Sequence, residues 1–286
     1  MNLKFEDISV SNRNPTLLKS EPFPYFCWDS FLPSKLYEEL YNCWPNDSFY
    51  GESIFGGKRG FQKREHTKVE KFFLEYPIWE RFIGMIESQK FISDLQKFVR
   101  PLQYPHRPIT SLRKWKIINS QKSFLEILFA NDVDIDWELS MYDENNFLEP
   151  HTDRMTKYVS LLLYFSHPEW KDQYGGGTIM YSPKDKKYNQ NWSNNYISLK
   201  HMNKVHNFTY SANKLVGFIK TSNSWHGVEP IKQPSGMRRK AFAINIGIPE
   251  NKHLKIANRV MESFYRRKEA HIYKDINVLN NQIKSN

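Results

Sequence analysis

Apolar residues along this chain follow two different periods. In the first part of the chain, up to residue 122, two stretches repeat them three and four positions apart. In "FPYFCWDSFLPSKLYEELYNCWP" a short apolar stretch leads to Pro33 and Ser34, which suit a helix start; Leu36, Leu40 and Cys43 then share a helical face and Pro45 ends it. "VEKFFLEYPIWERFIGMIESQKFISDLQKFVRPL" continues the pattern through Phe82 and Ile86, then Ile92, Leu95 and Val99, and predicts one or two packing helices. From residue 123 the texture changes to short runs rich in β-branched, aromatic and Leu residues, separated by polar turns. The expected strands are "SFLEILFAN", "DWELSMYD", "YVSLLLYFS", "GTIMYSP", "NFTYSA", "NKLVGFIKT", "GVEPIK" and "RKAFAINIGI". Their even spacing points to a sandwich or barrel rather than alternating β-α units, and a jelly roll (double-stranded β-helix) of about eight strands is the natural closure. The fold class expected is therefore mainly β with flanking helices.

The organisation expected from these textures has three parts. Residues 1–122 form a helical and mixed segment that packs on the core, residues 123–249 form the jelly roll, and residues 250–286 form a helix followed by a mobile basic tail. The polar, Asn- and Lys-rich stretch 183–205 interrupts the strand series, and an insertion of that length suggests a lid.

Composition narrows the setting. At 286 residues, 40% hydrophobic and 15% aromatic, the chain can bury a core. The apolar run "LLLYF" at 161–165 is far shorter than the ~20 residues of a membrane span, and "MNLKFEDISV" has neither a basic nor an apolar leader region. A cytoplasmic protein with no membrane partner is the expectation. Cys27 and Cys43 are too few for a disulfide framework and read as core filler. The net charge of +10 would suit nucleic acid, but the basic residues are spread, so a solvated basic face is the simpler reading and nucleic acid is not expected as a partner.

Candidate chemistry begins at "FLEPHTDR". His151 and Asp153 stand two apart in a predicted loop, His226 follows in "SNSWHGVEP" after the strand "LVGFIKT", and Arg239 opens the last strand. Taken alone, a His-X-Asp pair occurs by chance about as often as not. Two imidazoles and a carboxylate can, however, occupy one face of an octahedral Fe(II) and leave sites for a bidentate cosubstrate and O2. A period of two places Arg239, Ala241 and Ala243 on one face, so the guanidinium can meet a buried carboxylate beside small neighbours, with Arg238 turned away unless the register slips by one. Other motifs read as structure: "HPE" at 167–169 as a surface turn, "GGG" at 175–177 as a turn into a strand, and Trp225 as packing or a pocket wall.

With Tyr142, "HTD" at 151–153, "SLLLYFS" followed by "GGGTIMY", "WHGVEPIK" and Arg239 in this order, the sequence over roughly 133–248 resembles the Fe(II)- and 2-oxoglutarate-dependent dioxygenases, especially their prolyl-4-hydroxylase-like branch. The resemblance implies that His151, Asp153 and His226 ligate iron, that Arg239 binds the distal carboxylate of 2-oxoglutarate, and that Tyr142 lies near the cosubstrate. It implies hydroxylation of an unactivated C–H bond with conversion of 2-oxoglutarate to succinate, Fe(II) and 2-oxoglutarate as cofactors, and ascorbate as a possible stimulant. Ala241 stands where some relatives carry a hydroxyl, and Leu163 falls where certain peptide prolyl hydroxylases have a second tyrosine. Asp153 argues against halogenation, which needs that ligand position vacated. A small molecule or free amino acid ranks first as substrate, a peptidyl (prolyl-type) residue second, and a nucleic-acid dealkylase third, because Asn245 and Ile246 stand where dealkylases add a second Arg. A catalytically inactive jelly-roll binding module is the rival from outside enzymology; the intact triad weighs against it. Oligomeric state is left open by the sequence.

Overall fold

The computed structural model describes residues 8–52, 57–103, 114–118, 121, 123–124, 130–232, 236–249 and 252–272. Among the described residues, twelve strands and five α-helices follow in order: β1 (Leu17–Lys19), β2 (Tyr25–Trp28), α1 (Ser34–Asn42), β3 (Lys58–Gln62), α2 (His66–Glu75), α3 (Pro77–Ile86), α4 (Gln89–Gln103), β4 (Lys114–Ile117), β5 (Ala130–Tyr142), β6 (Leu148–His151), β7 (Lys157–Tyr164), β8 (Thr178–Pro183), β9 (Met202–Phe208), β10 (Leu215–Ile219), β11 (His226–Val228), β12 (Arg239–Gly247) and α5 (Lys252–Glu269). The large sheet runs β1-β2-β10-β7-β12-β5-β3, with β4 parallel to the start of β5; the small sheet runs β6-β11-β8-β9. From β5 to β12 the chain passes between the two sheets in the jelly-roll pattern, and each element finds its partner across a long connection. No helix among the described residues is long and apolar enough to cross a membrane.

The position of the site follows from strand alternation in the large sheet. On β12, Phe242, Ile244 and Ile246 are fully buried or nearly so on the helix side, whereas Arg239, Ala241, Ala243 and Asn245 face the small sheet. β12 is held on both edges, by β5 in the register Arg239↔Tyr142 to Gly247↔Asp134 and by β7 in the register Ala241↔Tyr164 to Ile246↔Val159. A slip of one residue would carry Arg239 into the apolar layer, so burial on the helix side pins the register.

The helices supply that apolar layer. α3 begins with Pro77, whose missing N–H costs nothing at a helix start, and buries Ile78, Trp79, Phe82, Ile83 and Ile86. Trp79 and Phe82 meet Phe242 with ring centroids 5.5 and 5.7 Å apart, and Trp137 of β5 lies 6.2 Å away. Leu163 belongs to this layer.

Several expected elements differ from those observed. Three helices, not one or two, cover 66–103. The strand expected at "NFTYSA" begins earlier, as β9 from Met202, so the end of the 183–205 insertion is itself β structure. β1, β2 and β3 extend the large sheet from a region that reads as helical or mixed, and β6 carries His151 where a loop was expected. These strands are three to five residues long, too short for a period of two to register in sequence. Most of the strand expected at 123–131, and the tail from 273, lie outside the described residues.

Phe242→Ala should lower unfolding stability by about 3–5 kcal/mol in chemical denaturation, the usual cost of emptying an aromatic site in a packed core. Leu74→Ala, at a position 84% exposed, should stay within about 0.5 kcal/mol of the parent.

Candidate metal centre

β11 lies between β6 and β8 and pairs His226 with His151, which sets two imidazoles side by side with ring centroids 4.3 Å apart. Asp153 stands just past β6 at φ +66°, a left-handed conformation that Asp tolerates better than most residues. Its two carboxylate oxygens each lie 3.7 Å from one imidazole: Oδ1 from His151 Nε2 and Oδ2 from His226 Nε2. All three residues are buried, and one ligand atom from each falls within 4.8 Å of the others.

The backbone fixes which ring nitrogen faces the centre. His151 Nδ1 lies 3.1 Å from the Glu149 carbonyl and His226 Nδ1 lies 2.9 Å from the Ser224 carbonyl. A carbonyl only accepts, so each Nδ1 carries the proton and each Nε2 presents a lone pair to the space by Asp153. Burial holds both imidazoles below the usual histidine range; His226 adds to the effect on His151, which is pushed down to about 3. Burial opposes the charge on Asp153, but the Lys157 ammonium beside it keeps the carboxyl well below the usual range. Lys157 Nζ donates to Asp153 Oδ1 at 2.9 Å and Ser160 Oγ to Oδ2 at 3.2 Å. Neutral imidazoles and an ionised carboxylate form the protonation state a divalent metal requires.

Arg239 lies across the small sheet's inner space. It is 1% exposed, and its carbon Cζ sits 5.4, 5.3 and 5.3 Å from the ring centroids of Tyr142, Tyr164 and Tyr210. Nε donates to the Gly176 carbonyl at 2.5 Å. Gly176 has φ +81°, and a Cβ there would meet Trp170 at 3.2 Å and Arg239 Cδ at 3.3 Å, so a glycine lets the loop close over the guanidinium. Nη2 is buried without a hydrogen-bond partner, and no carboxylate pairs with this cation among the described residues. Leaving a buried guanidinium half-satisfied is costly, so an anion belongs here. A cavity of about 120 Å³ runs from Arg239 and Tyr142 to His151, Asp153 and His226. Arg238 points outward to Asp47 and Asp143, at 2.6 and 3.0 Å.

The insertion is strapped over this centre. Tyr196 stacks on His151 at 4.8 Å, and Ile197 N donates to the Pro150 carbonyl at 3.0 Å. The Asn191 carbonyl accepts from Thr152 Oγ1 at 2.6 Å, between the two ligand candidates, and Trp225 Nε1 donates to Tyr188 O beside His226. At its far side Glu269 of α5, 3% exposed, accepts from Trp192 N at 2.9 Å and from Ser193 N and Oγ.

All five expected site residues thus line one cavity, while "HPE" forms a half-exposed turn and "GGG" turns into β8. Tyr164, Tyr210, Tyr196, Lys157 and Glu269 carried no signal of their own in the sequence. Leu163 faces the helices and Tyr164, one position on, faces Arg239, so a ring does stand beside the guanidinium from this strand.

Residues 137–247 match the family model of the 2OG-Fe(II) oxygenase superfamily. This stretch belongs to that superfamily. No curated protein matches the chain by sequence. Among solved structures the oxygenase is similar to a prolyl hydroxylase from Trichoplax adhaerens in complex with a hypoxia-inducible-factor peptide fragment, at 13% identity and TM-score 0.41 over 78% of this chain and 83% of that one. It is similar to a Pseudomonas putida prolyl-4-hydroxylase at 14% identity and TM-score 0.40, over 78% and 92% of the two chains. A third likeness is HygX from Streptomyces hygroscopicus with nickel and 2-oxoglutarate bound, at 11% identity and TM-score 0.43 over 79% and 83%. Residues 137–247 thus carry the Fe(II)- and 2-oxoglutarate-dependent oxygenase match, and the orphaned Nη2 of Arg239 and the lone pairs of two tautomer-fixed imidazoles fit those two cofactors.

Glu269→Ala removes the acceptor for the Trp192 and Ser193 backbone amides, the latter buried, a loss of about 1–3 kcal/mol locally. Hydrogen exchange should rise at 191–196 in that variant while the amides of β5 and β12 keep their protection.

Proposed function

We propose that His151, Asp153 and His226 hold Fe(II), that Arg239 holds the distal carboxylate of 2-oxoglutarate beside Tyr142, and that the oxygenase hydroxylates an unactivated C–H bond of a small molecule or amino acid. The observation that carries this reading is the unpartnered, buried Nη2 of Arg239 at the end of a cavity that begins at the three ligand candidates. When bound, iron and 2-oxoglutarate supply the oxidising chemistry with O2, and 2-oxoglutarate leaves as succinate and CO2.

The chain's own residues hold geometry and exclude water. The carbonyls of Glu149 and Ser224 keep both Nε2 lone pairs on the metal side, and Tyr196 covers one face of His151. Lys157 and Ser160 orient the Asp153 carboxylate, whose presence as a ligand favours oxygen insertion over halide transfer. Tyr142, Tyr164 and Tyr210 keep water from the guanidinium and present their negative faces to its charge. The inner cavity of about 120 Å³ suits a small cosubstrate, and a second cleft of about 430 Å³ adjoins it at Asp153 and Lys157, at the small-ligand end of pocket sizes. That volume supports a small substrate over an extended polymer.

Anaerobic Fe(II) with 2-oxoglutarate should give the visible metal-to-ligand charge-transfer band of such a chelate; a folded, iron-loaded sample without it would overturn the reading. His226→Ala should abolish the band. Arg239→Ala should weaken 2-oxoglutarate by roughly 30-fold or more with iron retained, as when one partner of a buried charge pair is truncated. Arg238→Ala should leave that affinity unchanged.

A further inference from the structure

The outer cleft of about 430 Å³ shares Glu138, Asp153, Lys157 and Asn245 with the inner cavity, so whatever it holds lies against the metal centre. Its floor is the inner face of β5 and β12, where the alternation that gives Ala241 and Ala243 near Arg239 gives Asp134, Asp136, Glu138 and Asn245 towards the other end. Most of its charges are already engaged within the protein. Lys63 pairs with Glu87 at 2.9 Å and Asp134 at 3.4 Å, Glu138 with Lys58 at 2.5 Å, and Lys157 with Asp153 at 2.9 Å.

Three charges are left over. Asp136, Arg64 and Arg154 line the cleft, are exposed to it, and have no ion-pair or hydrogen-bond partner among the described residues. Asp136 stands opposite Asn245 in the β5–β12 register. The Asn245 side-chain amide stands 3.0 Å from Ser160 Oγ, whose one proton goes to the Asp153 carboxylate. The carboxylate therefore lies on the floor, set in a row of hydrogen-bonding groups that leads from Ser160 at the metal ligand. Arg154 directly follows Asp153, and Arg64 stands on the rim after β3. Asp136 feels Lys157, Lys63 and Arg64 through space without contacting any of them, so one carboxylate and two guanidiniums face the same polar cleft, and a zwitterion would meet both signs at once.

We infer that this cleft binds a free amino acid as the substrate, its ammonium group held by Asp136 and its carboxylate by Arg154 and Arg64. The inference rests on the reading of the adjoining cavity as the iron and 2-oxoglutarate site, because only that reading makes the occupant a substrate. It names a chemistry that a peptide-bound residue lacks, since peptide bonds remove both charges. The Lys157–Asp153 pair lines both cavities, so an occupant of the cleft lies beside a metal-ligand candidate.

The test is a calorimetric titration of the common L-amino acids, and of their N-acetyl and carboxamide forms, into the full chain with and without Fe(II) and 2-oxoglutarate under argon. At least one free amino acid should bind with a Kd of about 1 mM or tighter, the usual range for enzyme substrates. Its N-acetyl and carboxamide forms should each bind at least about tenfold more weakly. Asp136→Asn should erase the preference for the free ammonium, and the Arg64→Ala/Arg154→Ala pair the preference for the free carboxylate. Both variants should keep the charge-transfer band, which separates loss of substrate recognition from loss of the iron site. The inference is overturned if the band forms but no free amino acid binds, if the blocked forms bind equally well, or if proline-containing peptides bind instead with an affinity that Asp136→Asn leaves unchanged. Absence of the band with amino-acid binding intact would sink the iron reading, and with it the occupant's role as substrate, while its place in the cleft would stand.

Discussion

A guanidinium that is 1% exposed and meets no carboxylate among the described residues is the constraint around which this oxygenase is arranged. Such a charge is tolerable only if every donor finds a partner or the surroundings are polarisable and negative. The protein meets part of that demand with a loop carbonyl from Gly176 and three tyrosine rings drawn from β5, β7 and the turn after β9. The remainder is left for a ligand. Because β12 is clamped by β5 on one edge and β7 on the other, the same register that buries Phe242, Ile244 and Ile246 against the helices delivers Arg239 to this position.

The metal candidates obey a second, complementary constraint. The pairing of β11 with β6 brings His226 beside His151, and two backbone carbonyls choose the ring nitrogen each presents. Asp153, in a left-handed conformation, faces both. The insertion that reads as a lid closes the arrangement: it is tied to Thr152 and to Trp225, and α5 grips it through Glu269. The sheet and the insertion thus converge on the residues 151–153, with α5 behind the insertion, and Asn194 of the insertion lines the outer cleft.

Much of this was legible in the chain. Long amphipathic segments such as 77–86, and strands of eight or more residues such as 157–164 and 239–247, repeat their period often enough to be read. "HTD", "WHG" and the arginine heading the last strand marked the site by order and spacing. Strands of three to five residues, such as those bearing His151 and Lys58, were not legible, because their pairing is stabilised by partners over 30 residues away rather than by any local pattern. Leu163 shows the same limit at one residue: sequence put a leucine where a ring was expected, and the pleat put Tyr164 there instead.

The sequence by itself therefore determined the fold class, the helical and β regions, and Tyr142, His151, Asp153 and His226 as residues of the inner cavity, since period and motif spacing are properties of neighbouring positions. Only the tertiary structure decided which arginine is inside. It also chose the tyrosines that surround that arginine, tied the insertion to α5, and left Asp136, Arg64 and Arg154 without a hydrogen-bond or ion-pair contact among the described residues. Those outcomes depend on which groups meet across sheets and loops, and whether a charge is engaged or free is a property of the assembled surroundings that no residue carries alone.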